Sequence, residues 1–89
     1  MFQMTDYNII QTLKRDLENK NYIRFRANVK NMEIFNILSN IDENDELYEE
    51  YFINLECLEN DIAFGQDPTN DCNDLIKTVE KILLLDITP

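Results

Sequence analysis

Residues 44–64 read NDELYEEYFINLECLENDIAF, and this stretch decides the fold. Seven of its apolar side chains fall within about 140° of arc on a helix, with acidic side chains on the opposite side. The apolar set is Leu47, Tyr48, Tyr51, Phe52, Leu55, Leu58 and Ile62. Asp42 or Asn44 is placed to cap the start, and Gly65 is placed to end the helix in a left-handed conformation. The stretch predicts a long amphipathic helix that buries an aromatic-rich face and exposes carboxylates.

Two further segments carry helical periodicity, one near each end of the chain. Residues 5–19 place Tyr7, Ile10, Leu13 and Leu17 on one stripe. Residues 66–74 are polar and predict a loop whose end caps a last helix. The apolar face of that last helix is predicted to be Leu75, Ile76, Val79, Ile82 and Leu83.

The segment 22–30 fits two periods. Its apolar residues alternate with polar ones as in a strand, while every third or fourth residue is also apolar, as in a helix. The lack of hairpin turns nearby favours the helix. The apolar positions after residue 33 point to a different face, which indicates a kink or break near 30–33. We therefore expect an all-α fold, a small bundle of about four helices, in a single acidic domain over residues 1–89, with an extended 22–30 as the alternative.

Charge is strongly segregated along the chain. Residues 1–30 carry six basic and three acidic side chains, whereas residues 31–76 carry thirteen Asp and Glu and no Lys, Arg or His. The formal net charge is −10. Because like charges repel within a folded domain, this excess destabilises the compact state and suggests a bound cationic surface. The competing interpretation is an ordinary solvated acidic surface without a specific partner.

Several kinds of catalytic or metal site are excluded by composition. The chain has no histidine, and its only glycine is Gly65, so Ser–His and Cys–His pairs and glycine-rich phosphate loops cannot form. Cys57 and Cys72 lack a neighbouring Cys or His, and we interpret them as incidental thiols rather than zinc ligands. Residues 67–73 alternate oxygen ligands as a calcium loop does, but Cys72 replaces the required glycine and Thr78 the bidentate glutamate. We expect no enzyme activity, no metal and no cofactor.

The aromatic residues and the chain start bear on the partner and the location. Stacking platforms for single-stranded nucleic acid accompany basic grooves, so aromatics in an acidic half disfavour direct nucleic-acid binding. Tyr48 or Tyr51 could instead anchor a protein partner at the rim of the core. No signal peptide is visible, and the longest apolar run, 82–85, is too short to cross a bilayer. We expect a cytoplasmic protein that does not bind membranes.

The second half of the chain resembles a known family. The long acidic helix with LYEEYF at 47–52 and LENDI at 58–62, the QDP loop at 66–68 and the helix LIKTVEKIL at 75–83 are similar to immunity proteins of the colicin D type. They are also similar to related helical immunity proteins of contact-dependent growth inhibition. The resemblance implies a protein that binds a ribonuclease toxin and blocks its tRNA-cleaving site, with carboxylates in the phosphate positions.

Composition and resemblance thus lead to one expected function and two alternatives. The expected function is an immunity protein, or antitoxin, that neutralises a basic nuclease toxin. The alternatives are a phage-type acidic nucleic-acid mimic that blocks a defence or repair protein, and an acidic structural or adaptor subunit. The oligomeric state is left open. The predicted partner-binding residues are Glu46, Glu49, Glu50, Glu56, Asp61, Asp67, Asp71 and Asp74.

Overall fold

The computed structural model describes the backbone of residues 4–85 and the side chains of residues 7–85. Five helices follow one another: α1 (Met4–Glu18), α2 (Tyr22–Val29), α3 (Met32–Leu38), α4 (Glu46–Phe64) and α5 (Thr69–Leu85). No strand occurs between residues 4 and 85, which confirms the all-α prediction. Helix α5 packs against each of the other four helices, and α2 also contacts α1 and α4. The last helix of the chain therefore lies at the centre of the fold.

The segment 22–38 forms two short helices because an asparagine cap interrupts it. At the start of α2, Asn21 Oδ1 accepts a hydrogen bond from the backbone N–H of Arg24 at 3.2 Å. At the start of α3, Asn31 Oδ1 accepts one from Glu33 at 2.8 Å. Each cap satisfies an N–H group that lacks an intrahelical partner. The predicted break near 30–33 is confirmed, the extended alternative for 22–30 is wrong, and the break is the reason for a fifth helix.

Helices α4 and α5 form a hairpin joined by residues 65–68. Gly65 has φ 69° and ψ 24°, a left-handed conformation that glycine adopts without a Cβ penalty. The backbone N–H groups of Gly65 and Gln66 donate to the carbonyl oxygens of Ile62 and Asp61 at 3.3 and 2.8 Å. These bonds satisfy carbonyls at the end of α4, as in a Schellman motif. The predicted glycine terminus is confirmed, and it turns the chain back along α4.

The cap of α4 lies one residue after Asn44 and three after Asp42, so neither of the two predicted caps is the observed one. Asp45 is the cap, and its Oδ1 accepts a hydrogen bond from the backbone N–H of Leu47 at 2.9 Å. Asp42 instead accepts from the N–H of Asn44 at 2.9 Å within the preceding turn. The three candidates are all good caps by type, so only the chain path distinguishes them.

The last helix begins earlier than predicted, within the segment 66–74 that we expected to be a loop. Asp67 Oδ1 accepts hydrogen bonds from the backbone N–H and the hydroxyl of Thr69, at 3.1 and 2.6 Å. Pro68 is buried, and its carbonyl accepts from the N–H of Cys72 at 3.0 Å. This Asx turn starts α5 at Thr69 despite the polar composition of its first two turns.

A single hydrophobic core joins all five helices. The buried apolar residues are Ile10, Leu13, Phe25, Val29, Ile34, Ile37, Leu38, Tyr51, Leu55, Leu58, Cys72, Leu75, Ile76, Val79, Ile82 and Leu83. The five positions predicted for the face of α5 are all among them. Leu47, Tyr48 and Ile62 of α4 are half-buried. Tyr7 and Phe52, which we expected to be core, are 54% and 39% exposed, so those two predictions are wrong.

Tyr51 connects three helices at the centre of the core. Its side chain is fully buried, and its hydroxyl donates to the carbonyl oxygen of Val29 at the end of α2, at 2.8 Å. Its ring meets Phe35 of α3 edge to face, with centroids 6.1 Å apart. Burial raises the pKa of the Tyr51 hydroxyl, so the group stays protonated and donating. Tyr51 was one of the two tyrosines suggested as an anchor for a partner. Because it is fully buried, it cannot have that role.

Asp16 is a buried carboxylate that periodicity did not predict. It is 3% exposed, and its Oδ2 accepts a hydrogen bond from Asn28 Nδ2 at 2.7 Å. Its backbone carbonyl accepts from the N–H of Asn21 at 2.8 Å. Buried polar groups are stable where they are hydrogen-bonded. Asp16 thus holds α1 against α2 through both its side chain and its backbone.

Replacing Tyr51 with Phe should lower the free energy of unfolding by about 1–3 kcal/mol, because the Val29 carbonyl would remain buried without its donor. Urea unfolding followed by circular dichroism measures the change. The matched control is Tyr7→Phe, which removes a hydroxyl from an exposed ring and should change stability little. Equal effects of the two substitutions would mean that the Tyr51–Val29 bond does not support the core.

Candidate functional site

Three of the predicted carboxylates form a row on the outside of α4. Glu46, Glu49 and Glu56 are all exposed, and their spacing places them on one side of the helix. We call these three residues the outer acidic row. No Lys or Arg of residues 7–85 forms an ion pair within 4.0 Å of them. The row therefore presents carboxylates to solvent that are not paired with any Lys or Arg of the described residues.

Two other predicted carboxylates of α4 face α5 instead. Glu50 lies 3.7 Å from Lys81 Nζ, and Asp61 interacts with Asp71 near the closed end of the hairpin. Between these two pairs, Asn54 Nδ2 donates to Thr78 Oγ1 at 3.4 Å, which fixes an antiparallel register. The five carboxylates predicted for one face of α4 are thus divided between two sides of the helix.

The remaining predicted residues lie at the start of α5. Asp67 is exposed, and hydrogen bonds from Thr69 hold the pKa of its carboxyl below its usual value. Its oxygen is engaged in starting the helix, so it has a structural role besides any contact with a partner. Asp74 is exposed on the second turn of α5. Both residues lie near the closed end of the hairpin, whereas the outer acidic row runs from the start of α4 to its middle.

Asp71 and Asp61 form a like-charged pair where α4 and α5 meet. Asp71 Oδ2 is shielded from solvent and has no hydrogen-bond partner among the described residues. Burial and the nearby carboxylates of Asp61 and Asp74 raise the pKa of Asp71 to about 6. Two carboxylates cannot hydrogen-bond while both are ionised, whereas a proton on Asp71 would let it donate to Asp61. This pair is a source of strain at neutral pH rather than a free contact surface.

Apolar side chains flank the outer acidic row, and sequence analysis missed them. Ile53 is 51% exposed and lies on the same side of α4 as Glu49 and Glu56. Leu84 and Leu85 at the end of α5 are 49% and 37% exposed. The exposure of Ile53 could have been predicted from the sequence, because this residue falls in the acidic sector of the helical wheel, opposite the face that packs into the core.

These side chains line two adjacent grooves at the open end of the hairpin. The first, between α4 and α5, is lined by Glu46, Leu47, Glu49, Glu50, Ile53, Lys81, Leu84 and Leu85. The second, on the other side of Ile53, is lined by Glu43, Asn44, Tyr48, Glu49, Phe52, Ile53 and Glu56. Glu49 and Ile53 belong to both and form the ridge between them. The rings of Tyr48 and Phe52, 4.9 Å apart, form the wall of the second groove.

Apart from Lys81, the Lys and Arg residues of the described part of the chain do not line these two grooves. Lys14, Arg15 and Arg24 are exposed on α1 and α2. Lys30 forms an ion pair of 2.7 Å with Glu59 on α4. This pair and the Glu50–Lys81 pair involve partly exposed side chains, and pairs of this kind contribute about 0–1 kcal/mol each. They offset only a small part of the repulsion among the carboxylates.

The two thiols differ in environment. Cys72 is fully buried, and burial together with nearby carboxylates raises its pKa to about 12, which keeps it protonated. Cys57 is exposed on α4, four residues after Ile53. Within the described residues, no three His, Cys, Asp or Glu side chains converge as metal ligands would.

No known protein family, curated protein or solved structure matches this chain. None of the helices between residues 4 and 85 combines the length and the apolar character that crossing a membrane requires.

The Asp71→Asn substitution should stabilise the protein at pH 7 by about 1 kcal/mol, after allowance for solvent screening. In the wild-type folded protein the pKa of the Asp71 carboxyl is raised to about 6, above the ordinary value of about 3.9 in the unfolded chain. The folded state therefore binds more protons between these values, and stability should fall as pH rises from about 4 to about 6. In Asp71→Asn this slope should be smaller. Urea unfolding across that pH range measures both effects.

The control for Asp71→Asn is Glu56→Gln, which removes the same charge from an exposed site away from Asp61. It should leave the slope between pH 4 and 6 largely unchanged. An unaltered slope in Asp71→Asn would show that the Asp61–Asp71 pair does not carry this pH dependence.

Sodium chloride should stabilise the protein at pH 7, because it screens repulsion among exposed carboxylates. The urea midpoint at low and high salt measures the effect. The triple variant Glu46→Gln, Glu49→Gln and Glu56→Gln should show a smaller salt response, since it removes the outer acidic row. A decrease in stability with salt would indicate that ion pairs, rather than repulsion, dominate the surface electrostatics.

Proposed function

We propose that this protein is a stoichiometric inhibitor of a basic protein that acts on nucleic acid. The first choice of target is a nuclease toxin, a tRNA-cleaving ribonuclease in particular, and the protein would then be a cytoplasmic immunity protein. Its carboxylates would occupy the positions of substrate phosphates in the target. In this proposal the protein binds and covers a site, without catalysis or a cofactor of its own.

The observation that carries the proposal is the outer acidic row. Glu46, Glu49 and Glu56 project from a rigid helix, exposed and without an ion pair to the described Lys and Arg residues. Exposed helices ordinarily gain a few tenths of a kcal/mol from each Glu–Lys pair at i,i+4 spacing. The outer side of α4 has no such pairs. Elsewhere on α4, Lys81 pairs with Glu50 and Lys30 pairs with Glu59.

The rigid spacing of these carboxylates suits a cationic groove. A nuclease holds phosphates with Lys and Arg, and those residues would pair with glutamates fixed on a helix. Close charge pairs in an interface can couple by about 1.5–7 kcal/mol, and charges at the rim mainly increase the association rate. A field of one sign also steers an oppositely charged partner, with on-rates raised roughly 10 to 1000-fold at low salt.

The charge reversal Glu46→Lys, Glu49→Lys and Glu56→Lys should abolish inhibition of the target and slow association. Glu50 is left intact because it pairs with Lys81. The full-length tagged protein is used to capture its partner from the native host, and the partner is then assayed for cleavage of RNA and DNA. Adding the inhibitor back in equimolar amount should stop cleavage, and the triple variant should fail to do so.

The control reverses Lys14, Arg15 and Arg24 to Glu, all exposed on α1 and α2. This variant should retain inhibition, and circular dichroism should show both variants folded. If the basic-segment variant loses inhibition and the acidic-row variant keeps it, the proposal is wrong. A captured restriction or repair protein would select the phage-type mimic, and a permanent partner without nucleic-acid activity would select the adaptor role.

A further inference from the structure

The grooves beside the outer acidic row combine two properties that charge mimicry alone does not require. Ile53, Phe52, Leu84 and Leu85 are each between 37% and 51% exposed and lie around one end of the hairpin. Single exposed apolar residues are common, but an apolar cluster rimmed by polar residues marks an interaction surface. A phosphate mimic needs only carboxylates, so the exposed apolar side chains of these grooves require a separate explanation.

We infer that the grooves on either side of Ile53 bind a cationic amphipathic helix of the target protein. This inference rests on the proposed function and specifies what the target contributes. Apolar side chains at i, i+3 and i+4 of the bound helix would enter the two grooves, as in other helix-in-groove interfaces. Lysine or arginine side chains on its flanks would reach the glutamates at the rim.

Charge complementarity favours an occupant with positive charge. The rim of the two grooves carries Glu43, Glu46, Glu49, Glu50 and Glu56, against the single cation Lys81, which Glu50 already pairs. An apolar segment flanked by acidic residues would be repelled, whereas basic flanks would be attracted. The aliphatic stems of Lys and Arg would also cover apolar surface beside the ridge.

Charge also argues against a second copy of this chain as the occupant. Two chains of formal charge −10 would bring their glutamate rims together in a symmetric dimer. Like-charged groups placed opposite each other across an interface cost several kcal/mol. A basic partner removes that cost.

Two synthetic peptides of equal length and identical Leu, Ala and Lys composition test the inference. One places Leu at helical spacing on a single face, and the other has a shuffled order without such a face. Fluorescence polarisation measures their binding to the full-length protein at low and high salt. The amphipathic peptide should bind at least about tenfold more tightly, equivalent to about 1.4 kcal/mol.

The Ile53→Ser variant should lose this preference, because it removes the apolar ridge that both grooves share. The matched control is Phe64→Ser, which removes an aromatic side chain that is 78% exposed and lines neither groove. It should retain the preference. Both sites are exposed, so circular dichroism should show both variants folded.

Three outcomes would overturn the inference. The first is equal binding of the two peptides that is lost in the Glu46→Gln, Glu49→Gln and Glu56→Gln variant. Binding would then depend on charge and not on an apolar helix face, and the proposed function would rest on charge alone. Failure of both peptides to bind would reject the groove as a helix site, and the inhibition assay with the captured target would still decide the proposed function. A dimer in sedimentation equilibrium that Ile53→Ser dissociates would assign the grooves to a second copy.

Discussion

The antiparallel register of α4 against α5 is the constraint on which the rest of the structure depends. Gly65 reverses the chain, and the Asn54–Thr78 hydrogen bond lies midway along the paired helices. This register decides the environment of each acidic side chain of α4. It brings Glu50 to a lysine, brings Asp61 to another carboxylate, and leaves the outer acidic row without an ion pair to the described Lys and Arg residues. Because α5 also contacts the other helices, the core and the acidic surface are set by the same packing.

The electrostatics of this small domain work against its own stability. Repulsion among the carboxylates is opposed by a core that extends through all five helices and by hydrogen bonds such as that of Tyr51 with Val29. A net stability of only about 5–15 kcal/mol is usual for a domain, so a few kcal/mol of repulsion is a large fraction. A cationic partner would relieve this repulsion on binding, because its positive charges would reduce the repulsion among the carboxylates of the outer acidic row. Our proposals attribute the charge segregation to that relief.

Helical periodicity predicted most of the fold, because the long apolar stripes of α4 and α5 and the glycine terminus each carry a local signal. Contacts between helices were less predictable. Tyr7 fits the stripe of α1 but is more than half exposed, and Phe52 lies at the edge of the buried arc. The start of α5 was missed since polar residues and an Asp-Pro pair resemble a loop. For the candidate site, the carboxylates were predictable from composition and the exposure of Ile53 from its place on the helical wheel, whereas the partner of Asp71 follows from the hairpin register.

The contrast between the two cysteines has a practical consequence for observing this surface. Cys72 is enclosed and held protonated, so the folded protein offers Cys57 to a thiol-reactive dye. Residues four apart on a helix are neighbours, which places that dye one turn from the ridge at Ile53. The wild-type sequence thus already contains a selective attachment point for a fluorescent reporter, and the arrival of an occupant in the grooves can be followed in real time without introducing a cysteine.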